Sequence, residues 1–454
     1  MIAPARVAAY EILRAVNARR ADLPHALARA RAHLDDGRDR ALAGEIASGT
    51  LRWQGAFDRI IGDAAKRPLP RLDPEVADVL RLSIFQLLHL ERVPASAVVN
   101  DAVSLTRRAG KGSAASLVNA VLRRVSRQRD RLPLPVRPPG LVNRDEALEY
   151  LSVTLSHPRW LVARWLDRHG FDAAESWARF NNQPAPLTIR VNHLRTTTEA
   201  LLTELANHGV TAAPGRFAPD ALVITHGNPL MTPLASAGAF VVQDEASQLV
   251  PLLTDVRAGE RVLDACASPG GKATAMAGAM NDRGLLVATD LRGGRVDLLA
   301  RTIQGAGMTS IRIVRADIQR ALPFHAVFDC VLLDAPCSGL GTIRRDPDVK
   351  WRRNEEDLPP LAAAQLAMLD QVSQVVREAG RIVYSTCSSE PEENEEVIAR
   401  FLSSHPEFRL RSPATVPASA ASLIDASGYF RTLPFRDGLE AFFAAILVKS
   451  PASQ

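Results

Sequence analysis

Cysteine is scarce in this chain, with four residues among 454, at positions 266, 330, 337 and 387. So few and so scattered thiols exclude a disulfide scaffold and point to a reducing compartment, the cytoplasm. Long apolar runs are missing too. None approaches the roughly 18–20 residues that a membrane helix needs. The N-terminal segment breaks its apolar character at Arg6, Glu11 and Arg14, which argues against a secretory signal. No internal repeat is evident. What is present is ordinary for a soluble globular protein: 46% hydrophobic and 23% charged residues. At roughly 100–200 residues per domain, the length predicts two to four domains.

The charge is unevenly spread. Residues 1–150 carry 25 basic against 17 acidic side chains, whereas the remaining residues carry 30 against 33. A basic front on a slightly acidic body suggests a polyanionic partner, although nearly all these cations are arginine, as a GC-rich genome would also produce. Helical spacing of Val7, Tyr10, Leu13 and Val16, and of Val76, Val79, Leu80 and Leu82, predicts an all-helical domain over residues 1–135. Its last helix, Leu117–Val125, runs into Arg127, Arg129 and Arg131; with Arg123 and Arg124 they form a basic run that is either a phosphate contact or a solvated helix end. The segment RLPLPVRPPG (Arg131–Gly140) reads as a linker. A small α+β module, RRM-like, is expected over 145–235, with strands at Leu187–Asn192 and Ala221–Thr225 and a helix at Thr196–His208. From 239 to 450, five short apolar runs (260–267, 284–290, 311–317, 328–336 and 380–387) alternate with helical stretches at 273–281, 295–304 and 361–378, and another follows at 392–402. That alternation predicts an α/β, Rossmann-like domain with a parallel sheet covered on both faces. Phe442–Lys449 is expected as a late antiparallel strand.

Ligands of such sheets bind beyond the carboxyl ends of the strands. The first run leads into DACASPGGK (Asp264–Lys272). Gly270 and Gly271 there let backbone N–H groups approach a ligand at a helix N-terminus. The pattern is neither GxGxxG nor a Walker A loop, which disfavours a dinucleotide or ATP. Asp290 ends the second strand, placed for ribose hydroxyls. Asp317 closes the third, placed for an adenine amino group. One such acid would be an ordinary helix cap; three on consecutive strands fit S-adenosylmethionine.

Cys337 follows Asp334-Ala335-Pro336 at the end of the fourth strand, and Cys387 stands in Ser385-Thr386-Cys387-Ser388 at the end of the fifth. Neighbouring strands would open both thiols into one crevice, whereas Cys330 and Cys266 read as packing or small-residue choices. Metal is not expected, because there is no CxxC and no histidine at ligand spacing. Methylation of a pyrimidine carbon uses such a pair. C5 of cytosine is a poor nucleophile, and a thiolate adding to C6 drives electron density onto it. The C5 proton must then leave before the thiolate is eliminated. Asp334 can meet the N3/N4 edge of the base. The base itself must be unstacked to be reached.

DACASPGGK, DAPCSGLGTIRRDPDVKW and YSTCSSEPEENE together resemble the RNA cytosine-C5 methyltransferases of the Sun/Nol1/Nop2 family, over roughly Ala239–Lys449. The front, with SIFQLLHLERVPASAVVNDAVSLTR and SLVNAVLRR, resembles the NusB fold. The fold class this implies is multidomain: an all-α NusB-like domain, a small RRM-like module and a class I methyltransferase domain. The resemblance implies Cys387 as nucleophile and Cys337 as the aid to proton removal and release. It places S-adenosylmethionine on Cys266, Ala267, Ser268, Pro269, Gly270, Gly271, Lys272, Asp290, Asp317 and Asp334, with Asp334 serving cofactor, base or both. The partner it implies is RNA, 16S rRNA with cytosine 967 as the family expectation, rather than DNA or membrane, and the protein is expected to act as a monomer. Ser268, Asp346 and Ala441 depart from the commoner residues of the pattern. Three alternatives stay open: reversal of the thiol roles, with Cys337 attacking; a tRNA or 23S rRNA substrate; and an RNA-binding scaffold without catalysis.

Overall fold

The computed structural model describes residues 2–139, 143–412 and 418–451. The chain divides into two compact units: residues 1–184 with 343–355, and 185–342 with 356–454.

The first unit is helical. Helices span Pro4–Asn17, Leu23–Arg31, Gly37–Arg52, Gln54–Ala65, Pro74–His89, Ala95–Arg108 and Ala115–Arg127. Their boundaries follow local chemistry. Proline occupies the first turn at Pro4 and Pro74, where its missing N–H costs nothing. Asp22 and Asp36 cap their helices by accepting the backbone N–H groups of His25 and Arg38 at 2.9 and 2.7 Å. The apolar stripes meet in one core containing Ile12, Leu13, Phe57, Val79, Leu80, Leu105, Val118 and Leu122. Arg123 and Arg127 lie exposed on the opposite face of the last of these helices. Further along, Trp165 stacks on Trp177 with ring centroids 4.7 Å apart.

The tail of the second cysteine motif, residues 343–355, belongs to this helical unit. Lys350 is fully buried and donates to the carbonyl of Arg52 at 2.8 Å. Trp351 donates its indole N–H to Leu51 at 2.6 Å, and Asp348 accepts the Leu23 N–H at 3.1 Å.

The second unit holds two sheets. The smaller contains β1 (Thr188–Val191), β2 (Thr211–Pro214), β3 (Ala221–His226) and β4 (Phe240–Val242), antiparallel in the order β2-β3-β1-β4. The helix Thr198–Asn207 packs on it through Leu201 and Leu205 against Ile189, Leu222 and Phe240. β2 and β4 are absent from the sequence expectation. Both are too short to show a period, and β2 ends on Pro214, which an edge strand tolerates.

The larger sheet has eight strands: β5 (Arg261–Asp264), β6 (Leu285–Asp290), β7 (Ile311–Arg315), β8 (Phe328–Asp334), β9 (Val376–Thr386), β10 (Phe408–Leu410), β11 (Phe430–Thr432) and β12 (Phe442–Lys449). Its order is β10-β12-β9-β8-β5-β6-β7, with β11 beside β12. β5 to β9 are mutually parallel, and β12 is antiparallel to β9 as expected. One boundary differs. The helix expected to reach Glu378 ends at Ser373, and β9 already begins at Val376. Buried Val375 and Val376 pack in the sheet core, which outweighs the helical propensity of Arg377 and Glu378. Among the described residues no helix is long and apolar enough to cross a membrane.

Candidate active site

The chain leaves β5 for β6 on one side of the sheet and returns to β8 on the other, so strand order reverses between β5 and β8. A crevice opens beyond the carboxyl ends of strands at such a point. Asp264 and Asp334 are the last residues of these two strands.

The turn after β5 pivots on Gly270, whose φ of +107° caps the helix Gly271–Ala279. A Cβ there would press on Leu299 and Thr302 at 3.0–3.3 Å, so glycine is required for both conformation and space. The turn borders a cavity of about 300 Å3 lined by Cys266, Ala267, Ser268, Pro269, Gly271, Lys272 and Asp334, together with Asp264, Gln243, Ser247 and Thr302. Both carboxyl oxygens of Asp264 and the amide oxygen of Gln243 are buried and, among the described residues, meet no donor at full hydrogen-bond geometry, although the Cys266 backbone N–H approaches Asp264. Orphaned acceptors beside a helix N-terminus suit a ligand that carries both ammonium donors and a carboxylate. S-adenosylmethionine has this combination, and these residues fit it.

Asp290 and Asp317 are engaged elsewhere and do not line that cavity. Asp290 ends β6 as expected, where it pairs with Arg295 at 3.1 Å and accepts the Arg292 N–H at 3.3 Å. Arg295 also donates to the carbonyl of Ser268 at 2.8 Å, bridging the glycine turn to the second strand. Asp317 does not close the third strand. β7 ends at Arg315, and Asp317 begins a turn in which it accepts the Gln319 N–H at 3.1 Å and pairs with Arg320 at 3.3 Å.

On the other side of the switch, Asp334 is held by Lys272 at 2.8 Å and by the Ser385 hydroxyl at 2.8 Å. Burial opposes the charge on Lys272, but Asp334, then Cys387 and Asp264, outweigh it and raise its pKa. Burial, with the negative charge of Asp334, pushes the Asp264 carboxyl up to about 8. A cation therefore sits among three acidic groups in the crevice.

β8 and β9 are neighbours, with Asp334 opposite Ser385. That pairing brings the two expected thiols together, Cys337 Sγ and Cys387 Sγ being 3.4 Å apart. The hydrogen bond to Cys387, burial, and the charges of Cys387 and Glu393 hold the Cys337 thiol well above its ordinary pKa. Gly341 keeps the two loops close: its N–H donates to the Cys387 carbonyl at 2.9 Å, and a Cβ there would lie 2.0 Å from the carbonyl oxygen of Ala441. The other thiols behave as packing groups. Burial raises Cys266, and it pushes Cys330 up to about 12.

Three residues of the site escape the sequence reading. Asp264 ends a strand as Asp290 and Asp334 do, so its signal was present. Arg190 on β1 gives none. It is buried, donates to the carbonyl of Gly271 at 2.6 Å and to Thr274 Oγ1 at 2.8 Å, and has no carboxylate in ion-pair range among the described residues. Burial lowers its pKa to about 10. Glu393 lies between the two cysteine loops.

Comparison with known proteins agrees with this geometry. The family model described as 16S rRNA methyltransferase RsmB/F matches residues 251–448. The NusB family model matches residues 3–127, and a ferredoxin-like domain of RsmF/B-like methyltransferases matches 157–231. The probable ribosomal RNA small subunit methyltransferase B of Bacillus subtilis is 34% identical, covering 90% of this chain and 91% of its own. The ribosomal RNA small subunit methyltransferase B of Pseudomonas putida is 33% identical over 99% of both chains. Among solved structures, PH0851 superposes with a TM-score of 0.80 at 26% identity, covering 99% of each chain. A methyltransferase homologue from Pyrococcus horikoshii gives a TM-score of 0.57 at 26% identity, covering 67% of this chain and 98% of its own.

Proposed function

The chain belongs to the ribosomal RNA small subunit methyltransferase B family, and from that premise we propose that it methylates C5 of one cytosine in 16S rRNA. The observation that carries this reading is the 3.4 Å approach of Cys337 and Cys387 beside a cavity fit for S-adenosylmethionine. When bound, S-adenosylmethionine supplies the methyl group as an electrophile activated by its sulfonium.

The chain's own residues prepare the base. Cys387 Sγ, as thiolate, forms a bond to C6 of an unstacked cytosine, and the electron pair displaced moves onto C5. C5 becomes the nucleophilic carbon and takes the methyl group. Its proton then passes to solvent water at the crevice, the C5–H electron pair re-forms the C5–C6 double bond, and the C6–S bond breaks, returning its electron pair to Cys387. Cys337, on the adjoining strand end, assists proton removal and release. Asp334, oriented by Lys272 and Ser385, serves the base edge, the cofactor or both. The glycine turn with Cys266–Lys272 holds the cofactor, and Asp290 and Asp317 complete its site once their arginine partners yield.

The same reading gives RNA, not DNA or a membrane, as the partner and a cytoplasmic monomer as the working form. It divides the chain into a NusB-like domain over 1–135, the small module over 145–235 and the methyltransferase domain over 239–450. A basic helical front is suited to gripping an RNA backbone while the second unit acts on the base.

The test uses the Cys337→Ala protein with S-adenosylmethionine and total cellular RNA. Complexes surviving denaturation are recovered and the attached RNA is sequenced. The expected product is an adduct at one cytosine of 16S rRNA, lost when Cys387 is also replaced. Adduct on tRNA or 23S rRNA overturns the substrate, and adduct formed by the single Cys387→Ala variant, with Cys337 intact, reverses the thiol roles.

A further inference from the structure

Glu393 takes no part in the reaction as described above, yet it is fully buried at the end of the short turn Pro391–Glu393. Its Oε1 accepts the Ser338 backbone N–H at 2.7 Å and the Gln365 side-chain amide at 2.9 Å. Its Oε2 accepts the Ser388 hydroxyl at 2.5 Å. Having given its one proton to Glu393, the Ser388 oxygen accepts from the Glu390 N–H and from the Ser338 hydroxyl, each at 3.1 Å. Ser338 directly follows Cys337, and Ser388 directly follows Cys387. A single carboxylate therefore fastens both cysteine loops.

All three hydrogen-bond partners of Glu393 named above are donors, which an acceptor-only carboxylate satisfies and a neutral amide cannot. No cation pairs with it among the described residues. A buried carboxylate without a counter-ion is costly, and packing alone would not require one. We propose that Glu393 is a positioning residue of the methyl-transfer reaction: it clamps the two cysteine loops at their 3.4 Å approach and turns a fixed negative charge towards Cys337, reserving the attack for Cys387. The inference rests on the cytosine-C5 reading for what the two thiols do.

The charged and titratable groups around the pair are unevenly disposed. Cys337 faces the Cys387 thiol at the end of β9, Tyr384 on the same strand and Glu393 from its turn, while the Gly339 N–H favours its ionisation. Lys272, from the helix after β5, is instead paired with Asp334 and influenced by Cys387. Cys337 is raised by the hydrogen bond to Cys387, by burial and by the charges of Cys387 and Glu393, in that order. The Tyr384 hydroxyl, donating to the Glu393 carbonyl at 2.6 Å, anchors the clamp to the sheet.

The test reads each cysteine separately, by mass spectrometry after brief alkylation with iodoacetamide across a pH series, on the full-length protein without RNA. In the wild type, Cys337 is expected to react with a midpoint above pH 9. Glu393→Gln should lower that midpoint by at least one unit and reduce kcat at least tenfold, with KM for RNA changed less than twofold. Glu393→Asp, which keeps the charge, should restore the high midpoint. A Cys337 midpoint at or below the ordinary thiol value in the wild type overturns the proposal without any variant. So does an unchanged midpoint in folded Glu393→Gln. Because alkylation needs neither RNA nor turnover, a protein that passes it but methylates no cytosine would refute the reaction and leave the clamp standing.

Discussion

Lys272 and Asp334 meet at 2.8 Å across the point where the large sheet reverses its strand order. One comes from the first turn of the helix after β5 and the other from the last residue of β8. The pair therefore locks the glycine turn to the strand that leads into the Cys337 loop. Through the Ser385 hydroxyl the same carboxylate is tied to the strand that leads into Cys387. Cofactor turn and both thiol loops thus share one ion pair.

Removing that cation should be felt in stability as well as activity. Lys272→Ala leaves Asp334, 26% exposed, beside Asp264 and, among the described residues, without an ion-pair partner. A hydrogen bond to a charged group is worth about 1.5–3 kcal/mol, and a loss of about 2 kcal/mol is expected in urea unfolding. Methyl transfer should fall at least tenfold. A variant as stable and active as the wild type would show the pair to be incidental.

The two thiols should behave as a unit. Cys387→Ala is expected to abolish transfer, and the double variant with Cys337→Ala should be no worse, because residues serving one step are not additive. Single-turnover assays with radiolabelled methyl donor give the comparison. Residual transfer in Cys387→Ala that falls further in the double variant would mean that the two cysteines act in separate processes.

Asp264 predicts an unusual pH dependence. Its folded pKa of about 8 lies far above the ordinary 3.8, so the folded protein holds a proton that the unfolded chain releases. Folding stability from this group is fully present below about pH 4 and declines as pH rises towards 8. Denaturant unfolding at pH 5, 6.5 and 8 should show that decline in the wild type and a flatter profile in Asp264→Asn. Equal slopes in both proteins would contradict the assignment.

Arg190 should support cofactor binding without touching the reacting atoms. Its two hydrogen bonds, at 2.6 and 2.8 Å, brace Gly271 and Thr274 at the start of the helix beneath the cavity. Arg190→Leu removes both while keeping an apolar stem. An affinity loss of about tenfold for S-adenosylmethionine, about 1.4 kcal/mol, is expected by calorimetry. Unaltered affinity would confine Arg190 to the packing of the small sheet.

The basic run at the end of the seventh helix has its own test. Arg123 and Arg127 are exposed, and Arg124 is already paired with Asp63 at 3.2 Å. If the exposed pair contacts phosphates, Arg123→Ala with Arg127→Ala should flatten the dependence of log affinity on log salt by about 1–2. Filter binding from low to moderate salt measures it. An unchanged slope would leave these arginines as a solvated helix end.

Much of this protein was legible in its sequence because the governing interactions are local. The alternation of apolar runs and helical stretches reflects the pleat and the helical turn, and it located β5 to β9 and β12. Proline and aspartate set the boundaries of the front helices for the same reason. The glycine turn and both cysteines stood at strand ends, where a parallel sheet must place its ligands.

What the sequence could not decide depends on contacts between distant segments. Lys350 has the composition of a surface cation, yet it is buried because a backbone carbonyl of Arg52, 298 residues away, receives it. Arg190 became part of the cofactor turn only when β1 was laid against a helix start 81 residues further on. Asp317 was expected to close the third strand, but that strand ends two residues earlier and its carboxylate caps the following turn. Glu393 resembled one more acid in an acidic helix start until folding surrounded it with donors from two loops. Periodicity reports which face of an element is apolar. Which polar groups that face will enclose is decided only when the elements pack, since each buried donor or acceptor must then find its partner within reach.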